Sequence, residues 1–187
     1  MKEYAKATWH IVPANTPDII RHCSKCNGKS EYYCSEKFRV NANGARVDIW
    51  LIYKCRKCDS TWKLAIHKGI NPHKLPAGRF DLFIDNDKAL AWHYAFDKHL
   101  LKQNSCVADY TSVKYSVEGY DKHSGPQIVR IRCAYNFDLK LVTLLTYVLD
   151  TTAGEIKKCV EAGVISAPPD INIVRHRIKG DVTVIVN

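Results

Sequence analysis

A chain of 187 residues, 46% hydrophobic and 25% charged, has the composition of an ordinary globular protein and is long enough for one sizeable core or a few small modules. That excludes a disordered or fibrous class; Met1-Lys2-Glu3-Tyr4-Ala5-Lys6 lacks the apolar run of a secretory signal, and no stretch approaches the about 20 apolar residues of a membrane helix. The formal charge of +9 is concentrated in front: residues 1–75 carry fourteen Lys/Arg against six Asp/Glu, residues 76–137 eight against seven, and residues 138–187 six against six.

A basic front favours an anionic partner, of which nucleic acid is the usual one, although solubility is the plainer reading of the same charge. The compartment expected is the cytoplasm, without membrane association. Cytosolic thiols stay reduced, so the eight cysteines point to metal before disulfides.

The first chemical feature along the chain is Cys23-Ser24-Lys25-Cys26, followed after 28 residues by Cys55-Arg56-Lys57-Cys58. Two C-x-x-C pairs joined by hairpin sequence match a zinc ribbon, in which each pair bends the backbone so that two sulfurs reach one tetrahedral ion. Cys23, Cys26, Cys55 and Cys58 are therefore the expected ligands of one zinc ion. Four cysteines fill its coordination and leave no position for water, so the role expected is structural and not catalytic. His22 is the neighbouring substitute ligand and reads more simply as a surface histidine. A thioredoxin-like dithiol is the alternative for either pair, but two matched pairs around hairpin sequence argue against it. The His-x-Glu of zinc deaminases occurs nowhere in the chain. Of the other thiols, Cys133 and Cys159 fall on expected core faces, and Cys34 and Cys106 have no base beside them in sequence.

Between the pairs, Asn43-Gly44 flanked by strand-forming residues predicts a hairpin, and residues 47–53 read as a strong strand. Its two faces, Val47/Ile49/Leu51/Tyr53 and Asp48/Trp50/Ile52/Lys54, are both mostly apolar, which predicts packing against another part of the protein. A third strand is expected over residues 62–66. After the Pro- and Gly-bearing stretch 71–78, a helix is expected to begin near Asp85 or Asn86, with Ala89, Trp92, Phe96 and Leu100 as one buried stripe. His93, Asp97 and His99 lie together there and are the candidates for an enzyme site, set against the commoner reading of structural, hydrogen-bonded histidines. Strands follow at 111–117 and 127–135, the second placing Val129, Ile131, Cys133 and Tyr135 on one face and Arg130 and Arg132 on the other.

The last segment predicts two helices, over 138–149 with Leu141, Val142, Leu145, Val148 and Leu149 inward, and over 152–162 with Ile156, Cys159 and Val160 inward. Gly163 stands where a helix C-terminal glycine belongs. Residues 171–178 and 182–186 read as strands around Lys179-Gly180-Asp181. This stretch, from Leu144-Leu145 through Thr152, Glu155-Ile156-Lys157-Lys158, Glu161-Ala162-Gly163-Val164-Ile165 and Ile178-Lys179-Gly180-Asp181-Val182, resembles the ribosomal S-four-type RNA-binding domain. The resemblance implies a helix pair on a small sheet, with Leu145 and Ile156 buried, and an RNA-binding role. Thr152-Ala153 stands where that family has Ser-Arg, which removes one cation expected at a phosphate. The whole chain, with paired cysteines in front, Asp48-Ile49-Trp50-Leu51-Ile52-Tyr53-Lys54-Cys55 and Thr61-Trp62 in the middle and this tail behind, resembles a bacterial family of proteins without assigned function.

The architecture expected is α+β: a three-stranded zinc ribbon in residues 1–75, a mixed helix and strand region in 76–137, and an S-four-like helix pair with short strands in 138–187. The function expected is non-catalytic RNA binding, on structured RNA of the translation machinery. Lys25, Lys29, Arg56, Lys57 and Lys63 are the expected phosphate contacts of the front, and Lys157, Lys158, Arg175, Arg177 and Lys179 those of the tail. The tail cations read equally as a solvated face balanced by Asp150, Glu155, Glu161 and Asp181. RNA is preferred to DNA through the resemblance alone. A protein-interaction adaptor docking through the apolar strand face, and an enzyme using the middle region, are the alternatives.

Overall fold

The computed structural model describes residues 4–120 and 126–187. In chain order, the strands β1 (Ala5–Pro13), β2 (Asp18–Cys23), β3 (Gly28–Asn43), β4 (Arg46–Cys55) and β5 (Thr61–Ile70) lead into three short helices, α1 (Arg79–Ile84), α2 (Lys88–Ala95) and α3 (Lys98–Gln103). Then come β6 (Val107–Asp109), β7 (Tyr115–Glu118), β8 (Gln127–Cys133), α4 (Leu141–Leu149), α5 (Ala153–Glu161), β9 (Ile165–Ser166) and β10 (Val182–Val186). No helix among the described residues is long and apolar enough to cross a membrane.

The chain folds as two compact units, one of Asn15–Val113 and one of Met1–Ala14 with Lys114–Asn187. In the Asn15–Val113 unit the sheet runs β5-β4-β3-β2-β6, antiparallel throughout. The hairpin expected at Asn43-Gly44 forms, with Asn43 opposite Arg46 and a two-residue connection of Gly44 and Ala45. Strand β4 buries Val47, Ile49, Leu51 and Tyr53. This face meets the helices: Leu51, Tyr53 and Leu64 pack with Ala91, Ala95, Leu100 and Leu101, and Val47 and Ile49 with Phe83 and Leu90. Phe38 and Phe83 meet edge to face at 5.0 Å, a geometry that aromatic quadrupoles favour.

The helices differ from the single one expected near Asp85. Asp87 caps α2 by accepting from the Leu90 amide at 2.7 Å, and Asp97 ends the run by capping α3 through the His99 and Leu100 amides. Ala89 is consequently exposed, while Phe96 and Leu100 are buried from separate elements.

In the other unit the sheet runs β7-β1-β8-β10-β9. Its centre is a parallel pair, with Trp9 opposite Ile131, and β10 completes it antiparallel to β8. Trp9, Ile131, Val129 and Val184 are fully buried. Both tail helices form. Thr152 caps α5 through the Glu155 amide, Gly163 takes φ +72°, and Leu145 and Ile156 are buried.

The expected fold class does not hold. Strand accounts for 41% of the described residues and helix for 25%, arranged as two five-stranded sheets and not as a three-stranded ribbon followed by an S-four-like helix pair. The cysteine-bearing hairpin grows into a wider sheet because β2 adds to β3 and recruits β6. In the tail, the expected strand over 171–178 is turn and irregular chain with one bridge, Lys140 to Arg177. Strand β10 instead joins β8 and, through it, β1, so the last fifty residues do not close a sheet of their own. Neither 75/76 nor 137/138 is a boundary of the two units.

Candidate functional site

Each cysteine pair sits on a tight turn that its own sequence makes possible. Asn27 follows Cys26 and Asp59 follows Cys58, and both adopt positive φ, +52° and +56°. Asn and Asp are the side chains that most readily enter this left-handed region outside glycine. The second turn closes through Asp59 N–H to Cys55 O and Cys55 N–H to Ser60 O, both 2.9 Å. Amide N–H groups also reach the sulfurs, Cys26 to Cys23 and Ser60 to Cys58.

The four sulfurs of Cys23, Cys26, Cys55 and Cys58 lie within 4.8 Å of one another, an arrangement that can hold a metal ion. Cys23 to Cys58 is 3.6 Å and Cys26 to Cys55 is 3.9 Å. Thiolates placed tetrahedrally about one ion at about 2.3 Å stand about 3.8 Å apart, close to these two edges. The same distances are far beyond the about 2.05 Å of a disulfide.

Ser60 is the residue of this cluster that the sequence reading missed. Its hydroxyl lies 3.3 Å from the Cys23 sulfur and 3.1 Å from that of Cys58. Hydrogen bonds from Ser60, then Tyr32, pull the Cys23 thiol down to about 5, and Ser60 lowers Cys58 as well. Cys26 is pushed up to about 12, first by Cys58 beside it. Crowded sulfurs of this kind hold a proton between them unless a cation takes its place. By contrast, burial pushes Cys34 up to about 12 and Cys106 up to about 11, leaving both as protonated, unreactive thiols near neutral pH.

The ten cations expected at phosphates are not equally available. Lys25 and Lys57 are exposed, one on each cysteine turn, beside a cluster that carries negative charge once its thiols ionise. Arg56 is engaged by Asp18, through Nε and through Nη2 at 2.8 Å, and the Asp18 side chain is only 5% exposed. Lys29, Arg56 and Lys57 line one shallow depression of about 280 Å³ with Ile20 and Glu31. In the tail all five are exposed; Lys157 pairs with Glu161, Lys158 with Glu155 and Arg177 with Asp138, whereas Arg175 and Lys179 form no ion pair among the described residues. Asp97 is occupied as a helix cap, and His93 and His99 are exposed, on α2 and α3 respectively, with His99 bonded to Gln103 at 2.9 Å.

The face of the sheet opposite α1–α3 carries what the charge count alone did not reveal. Register places Tyr33 opposite Lys54, Arg39 opposite Trp50, and Ile52 opposite Lys63, so these side chains share that face. Lys63 Nζ sits 5.2 Å over the Trp50 ring and the Arg56 guanidinium 5.3 Å over the Tyr33 ring. Lys54 and the Tyr33 hydroxyl both bond Asp59, which ties the face to the second cysteine turn. The signal for this face was in β4, whose Asp48/Trp50/Ile52/Lys54 positions are too apolar for a plain solvated edge.

A family model described as a protein of unknown function, DUF1062, matches residues 40–171. No curated protein and no solved structure matches the chain.

Proposed function

The chain belongs to the DUF1062 family of proteins of unknown function, and we propose that it is a non-catalytic RNA-binding protein whose working sheet is held at one end by a structural zinc ion. Zinc is supported by the donor set: four cysteine sulfurs gathered on two turns offer a closed site, and closed four-thiolate sites favour zinc. With all four positions taken by sulfur, no bound water is left to activate.

The RNA reading is carried by the two cation–aromatic pairs on one sheet face, Lys63 over Trp50 and Arg56 over Tyr33. Aromatic rings interleaved with cations on an open sheet suit unpaired bases, which stack on the rings while the cations meet the phosphates; each stacked base contributes about 1–3 kcal/mol. Once the metal is bound, Lys25 and Lys57 offset the charge of the thiolates, so Arg39, Lys63 and Lys29 are the cations left to meet phosphate. The test is fluorescence anisotropy of a labelled single-stranded RNA with zinc-loaded protein over a salt series. Trp50→Ala should weaken binding by about tenfold at any salt, and Lys63→Ser should lower the salt slope by about one. Unchanged affinity in both variants would sink the reading.

A protein-interaction adaptor is the second reading, favoured by Ile20 and Val107. They are paired across β2 and β6 and are 37% and 64% exposed. Binding to a protein partner that ignores salt, with no RNA retained at low salt, would select it.

A further inference from the structure

At the opposite end of β4 from Cys55, the edge strand β5 carries an irregularity that no expected function uses. Its pairing with β4 shifts register between Val47 and Ile49 and again between Ile49 and Trp50. Gly69 there adopts φ +57°, a conformation strained for any residue with a side chain. The Gly69 amide donates to Asp48 Oδ1 at 2.7 Å, and Arg46 Nη1 donates to the Gly69 carbonyl at 3.2 Å. The bulge is therefore fixed from both sides, and bulges of this kind re-aim neighbouring side chains.

Beside it opens a cleft of about 500 Å³, walled among others by Arg46, His67, Lys68, Asn71 and Lys74. That volume lies within the range of small-molecule sites, roughly 300–1,000 Å³. No carboxylate lines the cleft, and among the described residues none of Arg46, Lys68 and Lys74 forms an ion pair. Three cationic residues line one concavity, with the Asp48 carboxylate held by the Gly69 amide beside it, and an anion bound among them offsets their like charge.

We infer that this cleft binds a small molecule through a phosphate or pyrophosphate group. One guanidinium and two ammonium groups supply more donors than a single carboxylate can accept, and they suit an oxyanion with several equivalent oxygens. The apolar Ala45, Ile66 and Ile70 in the same wall give room for the body of the ligand. Neither Trp50 nor Lys63 lines the cleft, so the inference does not rest on the RNA reading.

The experiment is isothermal titration of the zinc-loaded full chain with pyrophosphate at low ionic strength. Two double variants of equal charge change are compared, Lys68→Ser with Lys74→Ser, and Lys25→Ser with Lys57→Ser. The expected result is saturable one-to-one binding that the first double variant weakens by about tenfold or more, the effect of losing charge-assisted bonds, and that the second leaves unchanged. Trp50→Ala should also leave it unchanged, which separates this site from the RNA reading. Absence of saturation, equal weakening by both double variants, or binding of single-stranded RNA at Lys68 and Lys74 with no binding of pyrophosphate would each overturn the inference.

Discussion

In the Asn15–Val113 unit four consecutive strands pair with their neighbours in sequence, whereas in the other unit β1 lies between β7 and β8 and aligns Trp9 with Ile131. The first arrangement forms from local hairpins, whose loops close at little entropic cost; the second must bring distant segments together before any pairing rewards them. The two units meet this difference with different devices. The local sheet leaves one face open and gathers its cysteine turns at one end, where a single ion can tie β2, β3, β4 and β5 together. The non-local sheet has no such cluster among its described residues and relies on buried Trp9, Val129, Ile131 and Val184 and on a close backbone approach at Gly119.

Removing one ligand of the proposed zinc ion is expected to have the largest effect on this difference. Cys55→Ser should abolish stoichiometric zinc, and because structural zinc contributes on the order of 10 kcal/mol or more to folding, the Asn15–Val113 sheet should lose hydrogen-exchange protection. Protection of β1, β8 and β10 should persist. Loss of protection throughout the chain would mean that the units do not differ in this way, and retained protection in β2–β5 would mean that the cysteines are not the tie.

The converse experiment is Gly119→Ala. Gly119 sits at φ +77°, and a Cβ there would lie 2.3 Å from the carbonyl oxygen of Thr8. Either the β1–β7 ladder opens or the backbone strains, at a cost on the order of 3 kcal/mol. Denaturant unfolding should show the β1-containing unit destabilised with zinc content intact. A variant as stable as the parent would remove the close approach from the account.

How much of this was legible in the sequence follows the same division. The four cysteines, the turn at Asn43-Gly44 and the buried face Val47/Ile49/Leu51/Tyr53 are local patterns, and they appear where periodicity and spacing put them. Gly163, the glycine that follows α5, is local too. The parallel pairing of β1 with β8 leaves no mark in either strand, so the tail was assigned a domain of its own. Ile173 and Ile178 are buried as strand residues would be, yet irregular chain buries them. Asp97 looked like one helix position among others, and its preference for capping divided the helix. The basic front is a local property of the sequence, but its partners are not: Arg56, grouped with the phosphate contacts, pairs with the buried Asp18 while about half of its own side chain stays exposed.

That ion pair offers a smaller and sharper test. Arg56→Ser leaves the buried Asp18 carboxylate without its cation and should cost about 3 kcal/mol. Asp18→Asn leaves a half-exposed guanidinium that water can solvate, and should cost about 1 kcal/mol. Thermal unfolding of the two variants checks the order. The same pair separates stability from binding, because Asp18→Asn frees Arg56 over the Tyr33 ring and should tighten RNA binding while it destabilises the fold. Equal destabilisation by both variants would show that the carboxylate is not the costly partner.

A pH effect is expected on the Asn15–Val113 unit as well, and it is smaller. His67 projects from β5 against Phe83, with ring centroids 6.1 Å apart, and burial holds its imidazole below the ordinary 6.5. The folded chain therefore binds this proton less readily than the unfolded chain does. Stability linked to His67 is complete above the unfolded value and is lost as pH falls through the folded one. Between pH 7.5 and 5.5 the urea midpoint should fall further for the parent than for His67→Gln, whose side chain does not titrate. Carboxylates and cysteines shared by both proteins contribute equally to both curves, so the difference between the slopes isolates the histidine. Parallel curves would mean that the ring is solvated in the folded state, and that β5 is looser at its bulged end than its pairing with Val47 and Ile49 implies.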